Sequence, residues 1–123
     1  MYLDKNNNLE KIIFAIVNNR KISFSYSKAG DTTKEQKIIV EPFLVGTLKT
    51  KEVKIDEPLF LSAWYCATAI EKAEGKTDGW KLYDLNQMKN LVVLDETFSP
   101  KRKYYNKNDS RMKAILARIE KNA

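Results

Sequence analysis

The side chains that could do chemistry in this chain are aromatic rings and cations rather than nucleophiles or metal ligands. There is no histidine and a single cysteine, Cys66, so Ser-His-Asp and Cys-His arrangements, the usual zinc ligands and an intrachain disulfide are all excluded. Cys66 stands among aromatic residues and alanines, which predicts a buried core thiol. Asp95 and Glu96 are adjacent in a predicted strand and should diverge, so they do not suit acid–base catalysis. We therefore expect a non-enzymatic protein with no metal and no cofactor.

Two groups of residues could bind a ligand. The rings of Trp64, Tyr65, Trp80 and Tyr83 could stack on nucleic-acid bases, or they could fill a small core instead. The segment 101–107, KRKYYNK, joins cations to two adjacent tyrosines, which suits single-stranded nucleic acid but equally a plain basic linker. The predicted nucleic-acid- or ligand-binding residues are Lys37, Trp64, Tyr65, Trp80, Lys81, Tyr83, Lys89, Lys101, Arg102, Lys103, Tyr104, Tyr105, Arg111 and Arg118.

The net charge of the chain lies in its C-terminal part. Residues 1–100 hold 14 basic and 14 acidic side chains, and the last 23 residues hold eight basic and two acidic ones, so the whole +6 falls after Pro100. A neutral body with a basic tail points to a polyanionic partner or to an acidic protein surface.

Length and composition predict one soluble domain. The 123 residues, 43% of them hydrophobic, support a modest core and argue against wholesale disorder. No apolar run approaches the ~20 residues that span a bilayer, and the polar N-terminus has no secretion signal. We expect a cytoplasmic protein without membrane contact.

The elements that must position the candidate residues begin with a helix and continue as strands. Leu9, Ile12, Ile13, Ile16 and Val17 recur with helical spacing, with Asn8 as a possible cap and Asn18-Asn19 at the end. Alternation and turn residues then predict five strands, the second of which bends at Pro42 because proline cannot donate to a strand ladder. These strands are 22–26, 35–48, 59–69, one that starts at Trp80, and 91–98, joined by a turn at 28–31, a charged loop at 47–57, a polar turn at 71–79 and a corner at 86–90.

The C-terminal part is predicted to be a separate unit. Ser99-Pro100 ends a domain that covers residues 1–98, and residues 99–123 form a basic linker and an amphipathic helix capped by Asp109 or Ser110. The apolar face of that helix would dock on the body, on a second copy of the chain or on a partner regulator; it comprises Met112, Ile115, Leu116 and Ile119. The strand count predicts a small, strongly bent barrel or sandwich for the body.

Residues 9–98 resemble the WYL domain family. The resemblance implies a mainly β fold, a small SH3-like or Sm-like five-stranded barrel, here with an N-terminal and a C-terminal helix. It also implies a ligand-sensing module of the kind found in bacterial transcription regulators and phage-defence systems. Too few residues precede Leu9 for the winged helix that often accompanies the barrel, so a stand-alone domain is expected. The resemblance rests on the strand with Phe24 and Tyr26, on VEPFLVG at 40–46, on Leu59-Phe60-Leu61 at the place of the name-giving Trp-Tyr-Leu, on Ala63-Trp64-Tyr65-Cys66 after it, and on Tyr83 to Met88 with the following LVVLDETF.

The chain departs from the family where the ligand surface would lie. The family's three arginines at that surface correspond to Ile38, Asp84 and Gln87, and a carboxylate at Asp84 would repel phosphate. Neighbouring lysines point to the other face of a strand and do not simply replace them. We expect a regulatory module that binds a polyanion, namely single-stranded nucleic acid or an oligonucleotide. The alternative is a protein-interaction or self-association module that docks through its C-terminal helix.

Overall fold

The computed structural model describes residues 3–26, 36–50 and 57–120. Within them the chain forms two α-helices, six strands and one 3-10 turn. The turn predicted at 28–31 lies outside the described residues, as do residues 51–56 of the charged loop. In chain order the elements are α1 (Leu3–Val17), β1 (Arg20–Tyr26), β2 (Gln36–Leu48), β3 (Leu59–Tyr65), α2 (Ala69–Ala73), β4 (Gly79–Asp84), the 3-10 turn Leu85–Gln87, β5 (Met88–Thr97) and β6 (Met112–Arg118).

Helix α1 confirms the amphipathic helix predicted at the N-terminus. Ile12, Ala15 and Ile16 are buried against the sheet, because apolar residues at this spacing share one helical face. The helix begins at Leu3, so the prediction that Asn8 caps it is wrong. It ends as predicted, since the backbone N–H and the side-chain amide of Asn18 both donate to the Phe14 carbonyl, at 3.0 and 2.9 Å.

The strands form one antiparallel sheet in the order β4-β3-β2-β1-β5. The long β2 organises it, because β1 pairs with its first half and β3 pairs with its second half. Strands β4 and β5 stand at the two ends of this order and do not pair with each other within the described residues. The fold is therefore mainly β with a leading helix, as predicted, but the sheet is not closed into a five-stranded barrel.

Strand β2 bends at the predicted position. The register against β3 shifts between Pro42 and Leu44, which leaves Phe43 as the extra residue of a β-bulge. On the other edge of β2, pairing with β1 ends at Val40 and pairing with β6 begins at Leu44. Pro42, which has no N–H to donate, thus falls where that edge changes partners.

The C-terminal helix predicted after Asp109 is wrong. Residues 112–118 form strand β6, which pairs antiparallel with β2 from Leu44 to Leu48. Asp109 accepts a hydrogen bond from the backbone N–H of Arg111 at 2.9 Å, so it stabilises a tight turn before a strand. Of the residues expected to form a docking face, Met112 and Ile119 are buried in this chain's own core, Ile115 packs against that core, and Leu116 is half exposed.

The segment after β3 also differs from the prediction. The strand predicted over 59–69 ends at Tyr65, and the short helix α2 begins at Ala69, the last residue predicted for that strand, and continues into the predicted polar turn. Thr68 and Glu71 form a capping box, in which the Thr68 hydroxyl accepts from the Glu71 N–H and the Glu71 carboxylate accepts from the Thr68 N–H. The spacing T-x-x-E is a known signal for a helix start, so the sequence did contain this information.

The core is one cluster to which α1, the sheet and the C-terminal segment all contribute. Its largest fully buried side chains come from α1, β1, β2 and β3, namely Ile12, Ile16, Ile22, Phe24, Val40, Pro42, Phe43, Leu44, Val45 and Leu61. Neither helix in the described part of the chain has the length and apolar character needed to cross a membrane.

Candidate functional site

The predicted aromatic residues divide between the two faces of the sheet. Trp64 and Trp80 are directly opposite each other on β3 and β4, with their rings in edge-to-face contact at 5.6 Å. Tyr65 and Tyr83, of the other parity, are 6% and 5% exposed. The expectation that neighbouring rings in a strand face opposite ways is therefore confirmed.

Tyr65 and Tyr83 are core residues. Tyr83 packs edge-to-face on Phe24 and on Tyr26, at 5.2 and 5.1 Å between ring centroids. Burial raises the pKa of Tyr83 and raises the pKa of Tyr65 to about 12. Their rings are thus unavailable for stacking on a base. For Tyr65 and Tyr83 the alternative holds, namely that the rings fill the core.

The segment predicted to be a basic linker lies across the outer face of the tryptophan pair. Arg102 donates from Nε and Nη2 to the two carboxylate oxygens of Glu41, at 2.8 and 2.7 Å, and its guanidinium lies 4.7 Å from the ring centroid of Trp64. Glu41 is 3% exposed, so its charge requires this bidentate partner. The same hydrogen bonding raises the pKa of Arg102.

Tyr105 is a second anchor of the same segment. Its ring stacks on Trp80, with 5.9 Å between centroids and 23° between planes, and contacts Phe43 at 4.9 Å. Its hydroxyl donates to the Ile119 carbonyl at 2.6 Å. The Trp80 indole N–H donates to the Lys103 carbonyl at 2.9 Å, so the indole also fixes the backbone between the two anchors.

These anchors leave Lys101, Lys103 and Tyr104 facing solvent. All three are exposed, and Tyr104 is 93% exposed, with a positive φ of 68°. A left-handed backbone is rare for a residue with a bulky side chain. We name residues 101–105 the display loop. Two of its side chains, Arg102 and Tyr105, pack on the sheet, and the other three face solvent.

A cleft of about 200 Å³ adjoins the display loop. Buried residues of the sheet and residues that precede β6 share its lining, so it exists only because the C-terminal segment packs on the sheet. The lining residues are Leu44, Ser62, Trp80, Tyr104, Tyr105, Asn106, Asp109, Ser110 and Arg111.

The two remaining predicted arginines are engaged within the chain. Arg111 makes a bidentate pair with Asp109, with Nη2 to Oδ2 at 2.6 Å and Nε to Oδ1 at 3.0 Å. This pairing raises the pKa of Arg111 and lowers that of Asp109. Arg118 donates to the Lys107 carbonyl at 3.0 Å and to Asn108 Oδ1 at 3.2 Å, and pairs with Glu120.

The predicted lysines of the body lie apart from the display loop. Lys37 on β2 and Lys89 on β5 are both in register with Ser25 on β1, so they flank it from either side. Lys81 on β4 is exposed and opposite Ala63. The structure thus brings Trp64, Trp80, Arg102, Lys103, Tyr104, Tyr105 and Arg111 to one region and places Lys37, Lys81 and Lys89 elsewhere.

None of the positions that correspond to the family's arginines presents a cation. Ile38 is 8% exposed and faces Phe24 across β1 and β2. Asp84 caps the 3-10 turn by accepting from the Asn86 N–H at 2.9 Å, and Gln87 is half buried in that turn. A phosphate site built as in the family is therefore absent at these three positions.

Cys66 lacks the surroundings of a reactive thiol. It is half buried, and burial raises its pKa to about 11, so the thiolate is scarce at neutral pH. In the described part of the chain no three or more acidic, cysteine or histidine side chains are grouped so as to hold a metal ion. The expectation that the chain is not an enzyme stays a prediction.

Sequence reasoning missed three residues of this region, namely Glu41, Phe43 and Ser62. Glu41 between apolar residues in VEPF was a usable signal, because a carboxylate in a buried strand needs a cationic partner. Ser62 inside LFLSAWY carried no comparable signal.

Comparisons with known proteins support the fold and do not identify a function. No protein-family model matches the chain, and neither does any curated protein. Among solved structures, the chain is similar to proteasome accessory factor B/C (PafBC) of Arthrobacter aurescens, with a TM-score of 0.55 and 20% sequence identity. The likeness covers 80% of this chain and 13% of PafBC. At this identity it shows a shared fold alone.

Proposed function

We propose that this chain is a non-enzymatic, WYL-like regulatory module that binds single-stranded nucleic acid or an oligonucleotide through its display loop. The observation that carries the proposal is the arrangement of that loop. Arg102 and Tyr105 are fixed on the sheet, and Tyr104, between exposed Lys103 and buried Tyr105, is 93% exposed.

Support for the module class comes from the fold. The likeness to proteasome accessory factor B/C covers 80% of this chain at a TM-score of 0.55. The strand order β4-β3-β2-β1-β5 and the 3-10 turn between β4 and β5 are compatible with the SH3-like or Sm-like barrel that the family resemblance implies. We propose that the sheet is an open variant of that barrel.

The binding mode follows from the groups that the display loop presents. Lys101 and Lys103 would contact phosphates, and a base would stack on Tyr104, which is worth ~1–3 kcal/mol per base. Because the loop is anchored on both sides of Tyr104, little conformational entropy would be lost on binding.

The ion pairs of the tail limit its electrostatic contribution. Arg102, Arg111, Lys113 and Arg118 each pair with a carboxylate, whereas Lys101 and Lys103 have no ion pair within the described residues. Two phosphate contacts predict a slope of about −1.4 for the logarithm of the binding constant against the logarithm of the salt concentration. A phosphate contact from each of the seven basic residues between positions 101 and 118 would give about −5.

The test is fluorescence anisotropy with a labelled oligothymidylate over a range of salt concentrations. We expect Tyr104→Ala and the double variant Lys101→Ala/Lys103→Ala to weaken binding about tenfold each. Lys72→Ala, which removes an exposed lysine from α2, is the matched control and should change nothing. The absence of binding at low salt, or equal losses in Lys72→Ala, would refute the proposal.

A second candidate function is association with another protein chain. It is favoured by β6, which pairs only with β2 among the described strands and carries the half-exposed Leu116. A partner would therefore add a strand to β6 rather than dock on a helix. Light scattering tests the case in which the partner is a second copy of this chain. Strand addition predicts a dimer, and Leu116→Lys should disrupt it.

A further inference from the structure

The cleft beside the display loop is small and is lined by aromatic, apolar and polar residues. At about 200 Å³ it lies below the range of drug-sized pockets, so it has room for a fragment such as one planar ring. Its lining includes the aromatic residues Trp80, Tyr104 and Tyr105 and the apolar Leu44. The indole N–H of Trp80 and the hydroxyl of Tyr105 are already bonded to backbone carbonyls, which leaves these rings with only apolar surface to offer.

Ser62 is a polar residue of the sheet that lines the cleft. It is 7% exposed and stands opposite Leu44 and Leu82. Its hydroxyl is not among the buried polar atoms without a hydrogen-bond partner, which in the described residues are Thr47 Oγ1 and Trp64 Nε1. A hydroxyl can both donate and accept a hydrogen bond, so Ser62 offers a polar contact to a ligand in the cleft.

The charge of the cleft selects for a neutral ligand group. Asp109 and Arg111 at the rim neutralise each other through their bidentate contact. Asn106 and Ser110 add uncharged polar groups. The side-chain oxygen Oδ1 of Asn106 accepts from the Asn108 backbone N–H at 2.9 Å, which leaves the side-chain NH₂ of Asn106 to donate. A phosphate inside would meet no unpaired cation, whereas a base with polar edges would meet donors and acceptors.

We propose that this cleft receives one unstacked nucleobase, while the adjoining phosphates stay outside on Lys101 and Lys103. The inference rests on the proposed function. It identifies the one base of the nucleic-acid strand on which the selectivity of binding would depend. The base lies among the rings of Trp80, Tyr104 and Tyr105, and its polar edge meets the Ser62 hydroxyl. Because only one base enters, discrimination falls on a single position of the strand.

The experiment compares two labelled strands of equal length and phosphate count, oligothymidylate and an abasic oligodeoxynucleotide. We expect the full-length wild-type chain to bind the base-containing strand about tenfold more tightly. Ser62→Val replaces the hydroxyl with methyl groups and narrows the cleft, so it should abolish this difference, and Ser62→Ala, which only removes the hydroxyl, should reduce it. Ser25→Val, the same change on β1, is the control that should keep it, and thermal unfolding checks that each variant folds.

Competition by small molecules separates the base from the phosphate. Free thymidine should compete with the strand in the wild type and not in Ser62→Val, and inorganic phosphate should compete equally in both. A preference for the base-containing strand that Ser62→Val leaves unchanged overturns the inference but leaves the proposed function standing, because stacking on Tyr104 alone would give it. Equal affinity of the wild type for the two strands, or failure of both strands to bind, overturns both. If Ser62→Val does not fold, the Ser62→Ala comparison decides.

Discussion

At the scale of single residues, the contact between Arg102 and Glu41 holds the C-terminal segment to the sheet. Glu41 stands at the bend of β2, opposite Trp64, where a carboxylate has almost no access to water. A planar guanidinium can donate to both carboxylate oxygens and lie against the Trp64 ring at once, which a lysine cannot do. The residue at position 102 therefore has a structural task, although its place in a basic run suggested ligand binding.

We predict that Arg102→Ala lowers the free energy of unfolding by about 2–3 kcal/mol. The reason is the unpaired charge left on Glu41, and the value lies below that of fully buried pairs because the Arg102 side chain is 35% exposed. Urea denaturation measures the loss. Adding Glu41→Gln to Arg102→Ala should restore part of it, since a neutral amide is easier to bury.

Lys113→Ala is the control for this pair, because its ion pair with Glu57 is more exposed, and we expect a loss below about 1 kcal/mol. An Arg102→Ala chain as stable as Lys113→Ala would show that the Glu41 contact is dispensable.

Tyr105 makes stability depend on alkaline pH. Burial raises its pKa from 10.0 to about 12, so the unfolded chain ionises this hydroxyl before the folded chain does. The stabilisation is complete below about pH 10 and is lost as the pH rises towards about 12. We predict that Tyr105→Phe reduces this alkaline loss by about 2 kcal/mol.

Urea denaturation at about pH 8 and about pH 11.5, with tyrosinate absorbance as the titration signal, checks this prediction. At the lower pH, Tyr105→Phe should cost only about 1 kcal/mol, because it keeps the ring and removes one hydrogen bond to Ile119. Parallel pH profiles for the two chains would contradict the assignment.

At the scale of elements, β6 shows why its helix prediction failed. Gly46 pairs with Ile115 and Val45 pairs with Ala117, which leaves Leu116 as an extra residue, and Lys113 is extra in the same way between Met112 and Ala114. Each bulge adds one residue to the period of two. The buried positions Met112 and Ile119 and the partly buried Ile115 therefore stand three and four residues apart, which is helical spacing.

Close approach of β6 to β2 depends on Gly46. A Cβ at this position would lie 2.0 Å from the Ala114 carbonyl oxygen, so that backbone would have to move. We predict that Gly46→Ala destabilises the chain by about 2–4 kcal/mol and separates β6 from β2. Amide hydrogen exchange should show lost protection in residues 112–118 first.

Gly79→Ala is the matched control for Gly46→Ala. A Cβ at Gly79 in β4 meets nothing within 4 Å, so alanine should be tolerated there within about 0.5 kcal/mol. If Gly46→Ala kept full protection in β6, the close strand contact at Ala114 would be disproved.

Sequence patterns predicted the elements that local periodicity determines. The apolar stripe of α1, the existence of strand β1 and the opposite faces of Trp64 and Tyr65 could all be predicted, because residues close together in the chain determine them. The path of the C-terminal segment was not, since it depends on Glu41 and Phe43, about 60 residues earlier in the chain. Tyr104 and Tyr105 look alike in sequence, and only the contact with Trp80 decides which ring is buried.

At the scale of the whole molecule, the C-terminal segment is part of the folded body. Arg102 and Lys113 pair with Glu41 and Glu57 of the body, so cations of the tail compensate carboxylates elsewhere. The apparent division into a neutral body and a basic tail thus becomes, in the fold, a set of ion pairs between the two. The charge left for a ligand is local to the display loop.

A chain that ends at Pro100 should therefore fail to fold stably. It would lose β6, the Tyr105 ring on Trp80 and the cation beside Glu41, and it would expose Phe43 and Trp64. These losses together exceed about 5 kcal/mol, which is comparable with the whole stability of a small domain. Circular dichroism and tryptophan fluorescence during urea denaturation should show no cooperative transition.

A chain that ends at Glu120 keeps every contact described for the segment and should unfold like the full chain. Cooperative unfolding of the shorter chain at an unchanged midpoint would mean that residues 101–120 are an independent appendage, and the display loop would then lose the rigid support on which its proposed role depends.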